Sequence, residues 1–404
     1  MMNESYKQSW RFWPILVLSF IFGFSSPLIM IATPIYFFQQ GVEIKFIGLL
    51  TTAITITYTF SPIILNKISD RVGRRKSVII SMVGASISQL LFYITLDPIV
   101  FFIERLFEGL ILGFFFPNLM ASISDNPTID HQKYLARFNL SWSLAVIFGM
   151  LFGAILSSFS SNLEFIFYIS PIFLILNTII AMLFFQDPNI PNSEVLNINS
   201  TLNSNASDIN QEEMEMRKYK IPVIIPLLLI LAISMGSGNG SLLYPVRSEI
   251  LGFPPSTTYL VNVIGTFASS VSMYLASLLS IKILKQISII TLFFYSFLFI
   301  FFIFNKDFFV FLTLFMFSGF FYGILYGTAS KLFMTLNLVK KTSKYSSISE
   351  SSIGASFFIT QIFLGFIADI DIALGYAALS LTILITFFVT LFFIRNMRET
   401  KITL

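Results

Sequence analysis

Cysteine is absent from this sequence, histidine occurs once, and charged residues make up only 11% of it. The absence of cysteine excludes disulfides, thiol chemistry and metal sites with cysteine ligands. The single histidine, His131, lies in a polar stretch, where a lone imidazole is usually just solvated. Because the apolar segments also lack a paired Asp-rich metal motif, the sequence offers no catalytic constellation, and we expect neither an enzyme nor a cofactor or metal site.

Apolar residues take the place of the missing charge. Hydrophobic residues form 55% of the chain and the mean hydropathy is +0.82, whereas soluble proteins contain about 25% charged residues. The apolar runs recur along almost the whole chain, and each is close to the roughly 20 residues that a helix needs to cross a bilayer. The sequence therefore predicts an all-α membrane protein. Its twelve predicted transmembrane helices lie near 13–37, 46–65, 77–95, 98–123, 136–158, 164–185, 222–244, 257–280, 287–304, 308–331, 349–368 and 372–394.

A polar segment separates the two sets of six helices. It is rich in Asn, Ser and Glu and ends in Arg217, Lys218 and Lys220. Such a segment is too polar to enter lipid and has too few apolar residues to fold alone. We therefore predict an N-terminal six-helix bundle at 1–185, a flexible cytoplasmic linker at 186–221 and a C-terminal six-helix bundle at 222–404.

The distribution of Lys and Arg predicts the orientation in the membrane, since cytoplasmic loops collect these residues. With both termini in the cytoplasm, all but four of the 25 lysines and arginines fall on that side. The exceptions are Lys45, Arg247 and Lys306 in outer loops and Arg105 within the fourth span. Membrane topology thus accounts for the positive net charge, and we expect no nucleic-acid partner. We expect a multi-pass protein of the plasma membrane that contacts the lipid bilayer.

Glycines and prolines recur between the two halves at nearly one spacing. Pro34 and Gly41 reappear 211 residues later, and Gly153 reappears 212 residues later. The fourth and tenth spans match at a spacing of 210 residues. The matched pairs are Pro34 with Pro245, Gly41 with Gly252, Gly109 with Gly319, Gly113 with Gly323, Pro117 with Gly327, and Gly153 with Gly365. A tandem repeat of six helices favours alternating access, in which one bundle rocks against the other around a central site.

The most distinctive local motif is the charged turn at 66–76, which reads Asn-Lys-Ile-Ser-Asp-Arg-Val-Gly-Arg-Arg-Lys. Simple anchoring by positive charge explains the basic residues but not the acidic residue or the glycine. The turn resembles the signature loop of the major facilitator superfamily, Gly-x-Leu-x-Asp-Arg-x-Gly-Arg-Arg/Lys. Asn66 and Ile68 depart from that pattern. The residues in register are Asp70, Arg71, Gly73, Arg74 and Arg75.

This resemblance implies a fold and a conformational role. The implied fold is the major facilitator fold, with twelve helices in two six-helix pseudo-repeat bundles. In the family, the loop Asp and Arg interact with a carboxylate at the cytoplasmic end of the fourth span, which here implies a latch of Asp70, Arg74 and Asp125. Segments 31–36, 60–62 and 145–154 are similar to the drug–proton antiporter branch, although Met150 replaces the proline of its fifth-span motif.

Glu104, Arg105 and Glu108 lie inside the predicted fourth span, where an unpaired charge costs several kcal/mol. Glu104 and Glu108 share a helix face, so either both carboxylates flank Arg105 or one of them exchanges protons. The alternative is a structural ion pair near the outer surface, with Glu104 reaching the headgroups by snorkelling. The segment 105–109 resembles the family's Arg-x-x-x-Gly motif, which ties Arg105 to proton transfer, and Glu108 is the preferred carrier.

Four further polar residues are candidates for lining a cavity, because polar groups avoid lipid. Hydrogen bonds between helices explain them equally well. They are Asn239 and Tyr244 in the seventh span, and Tyr322 and Tyr326 in the tenth.

The resemblance and the Phe-rich interior favour a monomeric secondary transporter that couples export of amphipathic small molecules to protons. Uptake of a sugar, organic acid or other metabolite is the runner-up, and polar cavity residues in both halves would favour it. A sensor built on a transporter fold is a third interpretation, but it would need a sizeable soluble output domain.

Overall fold

The computed structural model describes residues 11–124, 131–159, 162–187, 219–340, 344–395 and 398–399, which are almost entirely helical. The helices of the first half are α1 (Trp13–Gln39), α2 (Ile44–Val72), α3 (Arg74–Leu90), α4 (Pro98–Leu112), α5 (Phe115–Ser124), α6 (His131–Phe159) and α7 (Glu164–Phe184). Those of the second half are α8 (Ile224–Gly238), α9 (Tyr244–Ile250), α10 (Pro255–Leu278), α11 (Ile281–Phe304), α12 (Phe308–Lys340), α13 (Lys344–Ile370) and α14 (Ile372–Arg395). We call the end with the α1–α2 turn the distal end, and the end with residues 187 and 219 the linker end.

Within the described ranges, eleven helical segments are long and apolar enough to cross a membrane. The predicted fourth span is the twelfth, and it is divided into α4 and α5 at Gly113 and Phe114. Pro117 explains the break, because proline has no N–H for the carbonyl of Gly113 and its ring crowds that carbonyl. Asn118 adds a hydrogen bond beside the break, since its Nδ2 donates to the carbonyl of Phe114 at 2.6 Å.

The seventh span is interrupted in a different way. Residues Asn239–Leu243 form a π-helical segment between α8 and α9, and Pro245 follows in the first turn of α9. A proline here removes one backbone hydrogen bond, and a π-bulge is one of the ways in which a helix absorbs that loss. Arg247, predicted in an outer loop, lies instead in α9 and is buried. It donates to the carbonyl of Ile303 at 2.8 Å and to that of Asn305 at 3.1 Å, at the end of α11.

The glycine repeat corresponds to two equivalent helix crossings, α2 on α4 and α10 on α12. A Cβ added at Gly109 would overlap the carbonyl oxygen of Ile54, and one added at Gly319 would overlap that of Gly265. One turn further along, Gly113 packs on Ser61 and Gly323 packs on Ser272, again 211 residues from Ser61. Small residues let two backbones approach closely in a membrane. The repeated glycines are therefore the contact points of the repeated fold.

The two halves meet through a second pair of equivalent crossings, α6 on α10 and α2 on α13. Gly153 of α6 packs on Tyr259 of α10, and its repeat partner Gly365 of α13 packs on Gly48 of α2. Tyr259 lies 211 residues after Gly48, so both sides of each contact obey the repeat. The Tyr259 hydroxyl also donates to the carbonyl of Leu28 at 2.8 Å, which links α10 to α1.

Two short strands lie at the linker end. β1 (Tyr219–Lys220) pairs antiparallel with β2 (Arg398–Glu399). Residues 188–218, which form most of the predicted linker, lie outside the described residues. The flexible linker and the boundaries at 185 and 222 therefore stay predictions.

Candidate functional site

The charged residues of α4 lie inside the N-terminal bundle. Glu108 is 2% exposed and Arg105 is 7% exposed. Arg105 Nη1 donates to Glu108 Oε2 at 2.5 Å. The other oxygen of Glu108 accepts from Gln89 Nε2 at 3.0 Å, and Gln89 Oε1 accepts from the Ser170 hydroxyl at 2.8 Å. This chain of bonds joins α4, α3 and α7, and it gives each carboxylate oxygen of Glu108 a partner.

Glu104 stands apart from this network. It is 3% exposed, and neither of its carboxylate oxygens has a hydrogen-bond partner among the described residues. Its backbone carbonyl accepts a hydrogen bond from the Ser88 hydroxyl at 2.8 Å. The sequence predicts either that both carboxylates flank Arg105 or that one of them exchanges protons. Among the described contacts, only Glu108 is hydrogen-bonded to the Arg105 guanidinium.

Gln89 and Ser170 were missed by sequence reasoning. Each lies in an apolar helix, α3 or α7, and is fully or almost fully buried. A polar residue inside a predicted span is a signal in itself, but the sequence does not show which of several such residues meets Glu108. That information is held in the packing of three helices.

The charged signature turn lies at the linker end, where residues 66–72 end α2, Gly73 makes the reversal and residues 74–76 begin α3. Arg74 Nη1 donates to Asn118 Oδ1 of α5 at 3.4 Å, and the hydroxyl of Ser69 donates to the same oxygen. The predicted latch pairs Arg74 with Asp70 and Asp125, but the side chain of Asp70 and all of Asp125 lie outside the described residues. The described part of the latch is therefore the attachment to Asn118, which sequence reasoning missed.

The same turn also contacts Asp187, the last residue described before the gap at 188–218. Asp187 Oδ1 accepts from the backbone N–H of Arg75 at 2.6 Å, and Arg75 Nη2 donates to the carbonyl of Met182 at 2.7 Å. Gly73 has a φ of +94°, a conformation that side chains other than glycine rarely adopt. Arg71, the remaining predicted residue of the loop, is exposed. The glycine thus allows the sharp turn that brings the side chain of Arg75 against α7.

The four predicted cavity residues fall in three different environments. Asn239 opens the π-helical segment and is fully buried, and neither amide atom has a partner among the described residues. Tyr244 packs edge-on against Phe311 and Phe315 inside the C-terminal bundle. Tyr322 and Tyr326 are half-buried and stack at 6.1 Å with an angle of 5° between the rings. The two stacked tyrosines retain the partial exposure that a cavity lining needs, whereas Tyr244 is part of a packed core.

Polar side chains of the two halves also meet at the distal end. Gln39 Nε2 of α1 donates to Glu249 Oε2 of α9 at 2.9 Å. Lys45 Nζ of α2 lies 3.6 Å from Asp369 Oδ2 of α13 and 2.6 Å from Glu43 Oε2. These contacts join α1 to α9 and α2 to α13 across the two halves.

Comparison with known proteins connects this architecture to a family. A profile described as Major Facilitator Superfamily matches residues 15–243, which is more than half of the chain. Multidrug resistance protein 1 of Bacillus subtilis (strain 168) is 28% identical over 171 residues, covering 42% of this chain and 43% of that protein. The Staphyloferrin B transporter of Staphylococcus aureus (strain NCTC 8325 / PS 47) is 25% identical over 152 residues, covering 38% of this chain and 36% of that protein. The chain therefore matches less than half the length of these curated relatives.

The solved structures that resemble this chain extend over almost all of it. The crystal structure of a D-xylose–proton symporter has a TM-score of 0.67 and covers 96% of this chain, with 98% of its own chain covered. Its sequence identity is 14%, so this likeness shows the fold alone. It confirms the architecture of helices in two bundles that the sequence predicts.

Proposed function

Because this chain belongs to the Major Facilitator Superfamily, we propose that it is a secondary active transporter that moves a small molecule across the membrane by alternating access. Membership of a family of transporters also confirms the prediction that the chain is not an enzyme. The observation that carries the proposal is the pair of equivalent crossings at Gly153 and Gly365, where a glycine of one half packs closely on a helix of the other. Such contacts allow one bundle to rock against the other while both remain packed.

The charge distribution supports an orientation for this movement. Lys and Arg collect at the linker end, as they do in cytoplasmic loops, so we place both termini in the cytoplasm and the distal end outside. The distal contacts of Gln39 with Glu249 and of Lys45 with Asp369 then belong to a state that is closed to the outside. In the proposed cycle, these contacts break when the protein opens outward.

We further propose that transport is coupled to protons at the α4 cluster and that the substrates are amphipathic compounds leaving the cell. The similarity to a protein named for multidrug resistance supports export, and Glu104 supports the coupling. Burying an ionised carboxylate without a partner is costly, whereas a protonated one needs far less compensation. Sequence reasoning favours Glu108 as the carrier, but its bonds to Arg105 and Gln89 make it a fixed member of the network, and the contacts favour Glu104.

Transport in proteoliposomes tests this function. Accumulation of ethidium, a lipophilic cation, and of a panel of neutral compounds is measured with the vesicle interior acidic, alkaline or at the external pH. A proton antiporter accumulates substrate in vesicles with an acidic interior, whereas a proton symporter does so with an alkaline interior. Accumulation that ignores both gradients would remove the proton-coupling claim, and no carrier-dependent flux of any compound would remove the transport claim.

Uptake of a polar metabolite remains the second candidate. It is favoured by Asn239 and by the half-buried pair Tyr322 and Tyr326, since an uncharged, polar-lined route suits a sugar or a similar solute better than a lipophilic cation. The same vesicle experiment separates the two candidates, because the sign of the driving gradient differs.

The distal closure gives a testable prediction, and the absence of cysteine makes the experiment clean. In the variant Gln39→Cys/Glu249→Cys, we expect a short bifunctional thiol reagent to link α1 to α9 and to abolish substrate exchange, because the outward-open state can no longer form. A reducing agent that cleaves the link should restore exchange. The two single-cysteine variants, treated in the same way, are the matched controls. Full exchange by the linked protein would show that these helix ends do not separate during transport.

The signature turn gives another prediction. We propose that Asp70, Arg74 and Asp125 form a latch that stabilises the outward-open state, whereas the contact of Arg74 with Asn118 is present while the distal end is closed. Asp70→Asn should therefore shift the population toward the state that is closed at the distal end. The measurement is the rate at which the bifunctional thiol reagent links Gln39→Cys to Glu249→Cys, which should rise in the Asp70→Asn background. An unchanged linking rate together with unchanged transport would refute the latch.

A further inference from the structure

The π-helical segment Asn239–Leu243 lies where several helices converge. It contacts α1 and α2 of the first half and α13 and α14 of the second half. On α13, Thr360 and Leu364 lie against Gly238, while Gln361 lies against Ser241. The backbone carbonyl of Gln361 also packs on Gly48 of α2. Single π-bulges occur frequently at functional sites, because the wider turn changes how side chains and backbone groups are presented.

Several buried polar atoms have no hydrogen-bond partner among the described residues at this junction, where the segment Asn239–Leu243 meets Thr360 and Gln361 of α13. Gln361 Nε2 donates to the Ser241 hydroxyl, and that hydroxyl in turn donates to the carbonyl of Ser237 at 2.8 Å. Gln361 is 2% exposed, yet its Oε1 has no partner among the described residues. The hydroxyl of Thr360 and both amide atoms of Asn239 are also buried and unpartnered within the described part of the chain. A buried polar group that is left unpaired destabilises the fold, so this state in Thr360 and Gln361, and in Asn239 next to Gly238, indicates a missing partner.

The chemistry of the junction indicates what that partner is. Asn239, Ser241, Thr360 and Gln361 carry no formal charge, and together they offer both hydrogen-bond donors and acceptors. A charged group would meet no opposite charge among them, and it would pay the cost of desolvation. A hydroxyl or a carboxamide can satisfy both kinds of atom at once. Ser237, one turn before Ser241, is half-buried.

We infer that the segment 239–243 and the residues Thr360 and Gln361 of α13 form a binding site for an uncharged hydroxyl or carboxamide group of the transported molecule. The inference rests on the proposed transport function and specifies the chemistry of its substrate, whichever direction the substrate moves. Gln361 accepts a hydrogen bond from that group, and Ser241 holds the Gln361 amide in place.

Binding to the whole protein in nanodiscs, measured by calorimetry, tests the site without relying on transport. The probes are chloramphenicol, which carries a carboxamide and hydroxyls, D-xylose, which carries hydroxyls alone, and ethidium, a lipophilic cation. We expect the wild type to bind at least one neutral probe. Gln361→Leu should weaken that binding about tenfold or more, the equivalent of one lost hydrogen bond to a buried group, and change ethidium binding by less than about twofold. Gln361→Glu, which keeps an acceptor oxygen, should retain more neutral-probe binding than Gln361→Leu. Gln286→Leu, at an exposed glutamine of α11, is the matched control and should change neither.

Three outcomes would overturn the inference. The first is a wild type that binds neither neutral probe, and the second is a Gln361→Leu variant that binds them as well as the wild type, as expected if the junction holds an internal water only. The third is an equal loss for all probes together with a lower unfolding temperature, which would indicate a purely structural role. Ethidium transport in vesicles is measured separately, so the site can fail while the proposed transport function stands.

Discussion

Replacing Glu104 with Gln is expected to uncouple transport from the pH gradient while leaving the protein folded. The substitution keeps the shape of the side chain and removes its exchangeable proton. A gradient of one pH unit supplies about 1.4 kcal/mol per proton, so a gradient of two units can support up to about a 100-fold accumulation by a carrier that exchanges one proton per substrate. The wild type should approach this ratio, and Glu104→Gln should fall to a ratio of about one.

The measurement is the accumulation of ethidium, or of whichever panel compound the wild type accepts, in vesicles with an imposed gradient. Exchange without a gradient is the internal control, because an uncoupled carrier still exchanges its substrate. Since neither carboxylate oxygen of Glu104 is bonded among the described residues, the unfolding temperature should change by no more than about 2 °C. If Glu104→Gln accumulates substrate as the wild type does, the proton is carried elsewhere.

Replacing Glu108 with Gln should have a different effect, a large loss of stability. The change leaves Arg105 buried without its counter-charge, and removing one partner of a buried ion pair typically costs about 3–5 kcal/mol. We expect a lower unfolding temperature in nanodiscs and a lower yield of folded protein. The two glutamates are only one helical turn apart, so the pair of variants Glu104→Gln and Glu108→Gln forms a matched comparison of coupling against stability.

A double variant makes this second prediction sharper. In Arg105→Met/Glu108→Gln both charges are removed, and residue 108 can still accept the hydrogen bond from Gln89. Replacing both partners of a buried pair with neutral groups is often close to neutral, so the double variant should recover most of the stability that Glu108→Gln loses. A single variant as stable as the wild type, or a double variant less stable than the single, would contradict a structural ion pair at this position.

Much of the fold follows from residues that can be read along the chain. The span between 13 and 37 needs only its length and apolarity to be placed in the membrane, and Gly109 and Gly319 mark equivalent contacts because the repeat is visible in the spacing. The division of the fourth span at Gly113 was not predicted, although Pro117 was visible. A proline in an apolar run causes either a bend or a break, and the packing of neighbouring helices decides which.

The candidate site could be predicted only in part. Glu104, Arg105 and Glu108 were found because charge inside lipid is rare, and that rule uses composition alone. Their division into a bonded pair and an unpartnered carboxylate could not be predicted, since Gln89 lies on another helix. Gln361 was missed for the same reason, because its unpaired oxygen is evident only once α13 packs against the π-helical segment.

The sequence by itself determined that this chain is a membrane protein of two similar helical halves with a charged signature turn and a charged fourth span. These properties depend on the length, apolarity and spacing of residues along one chain, which the bilayer and the backbone translate directly into helices. Only the tertiary structure decided which buried polar groups are satisfied and which are left open. Hydrogen bonds between side chains on different helices depend on distances of a few tenths of an ångström, and those distances are set by the packing of the whole bundle.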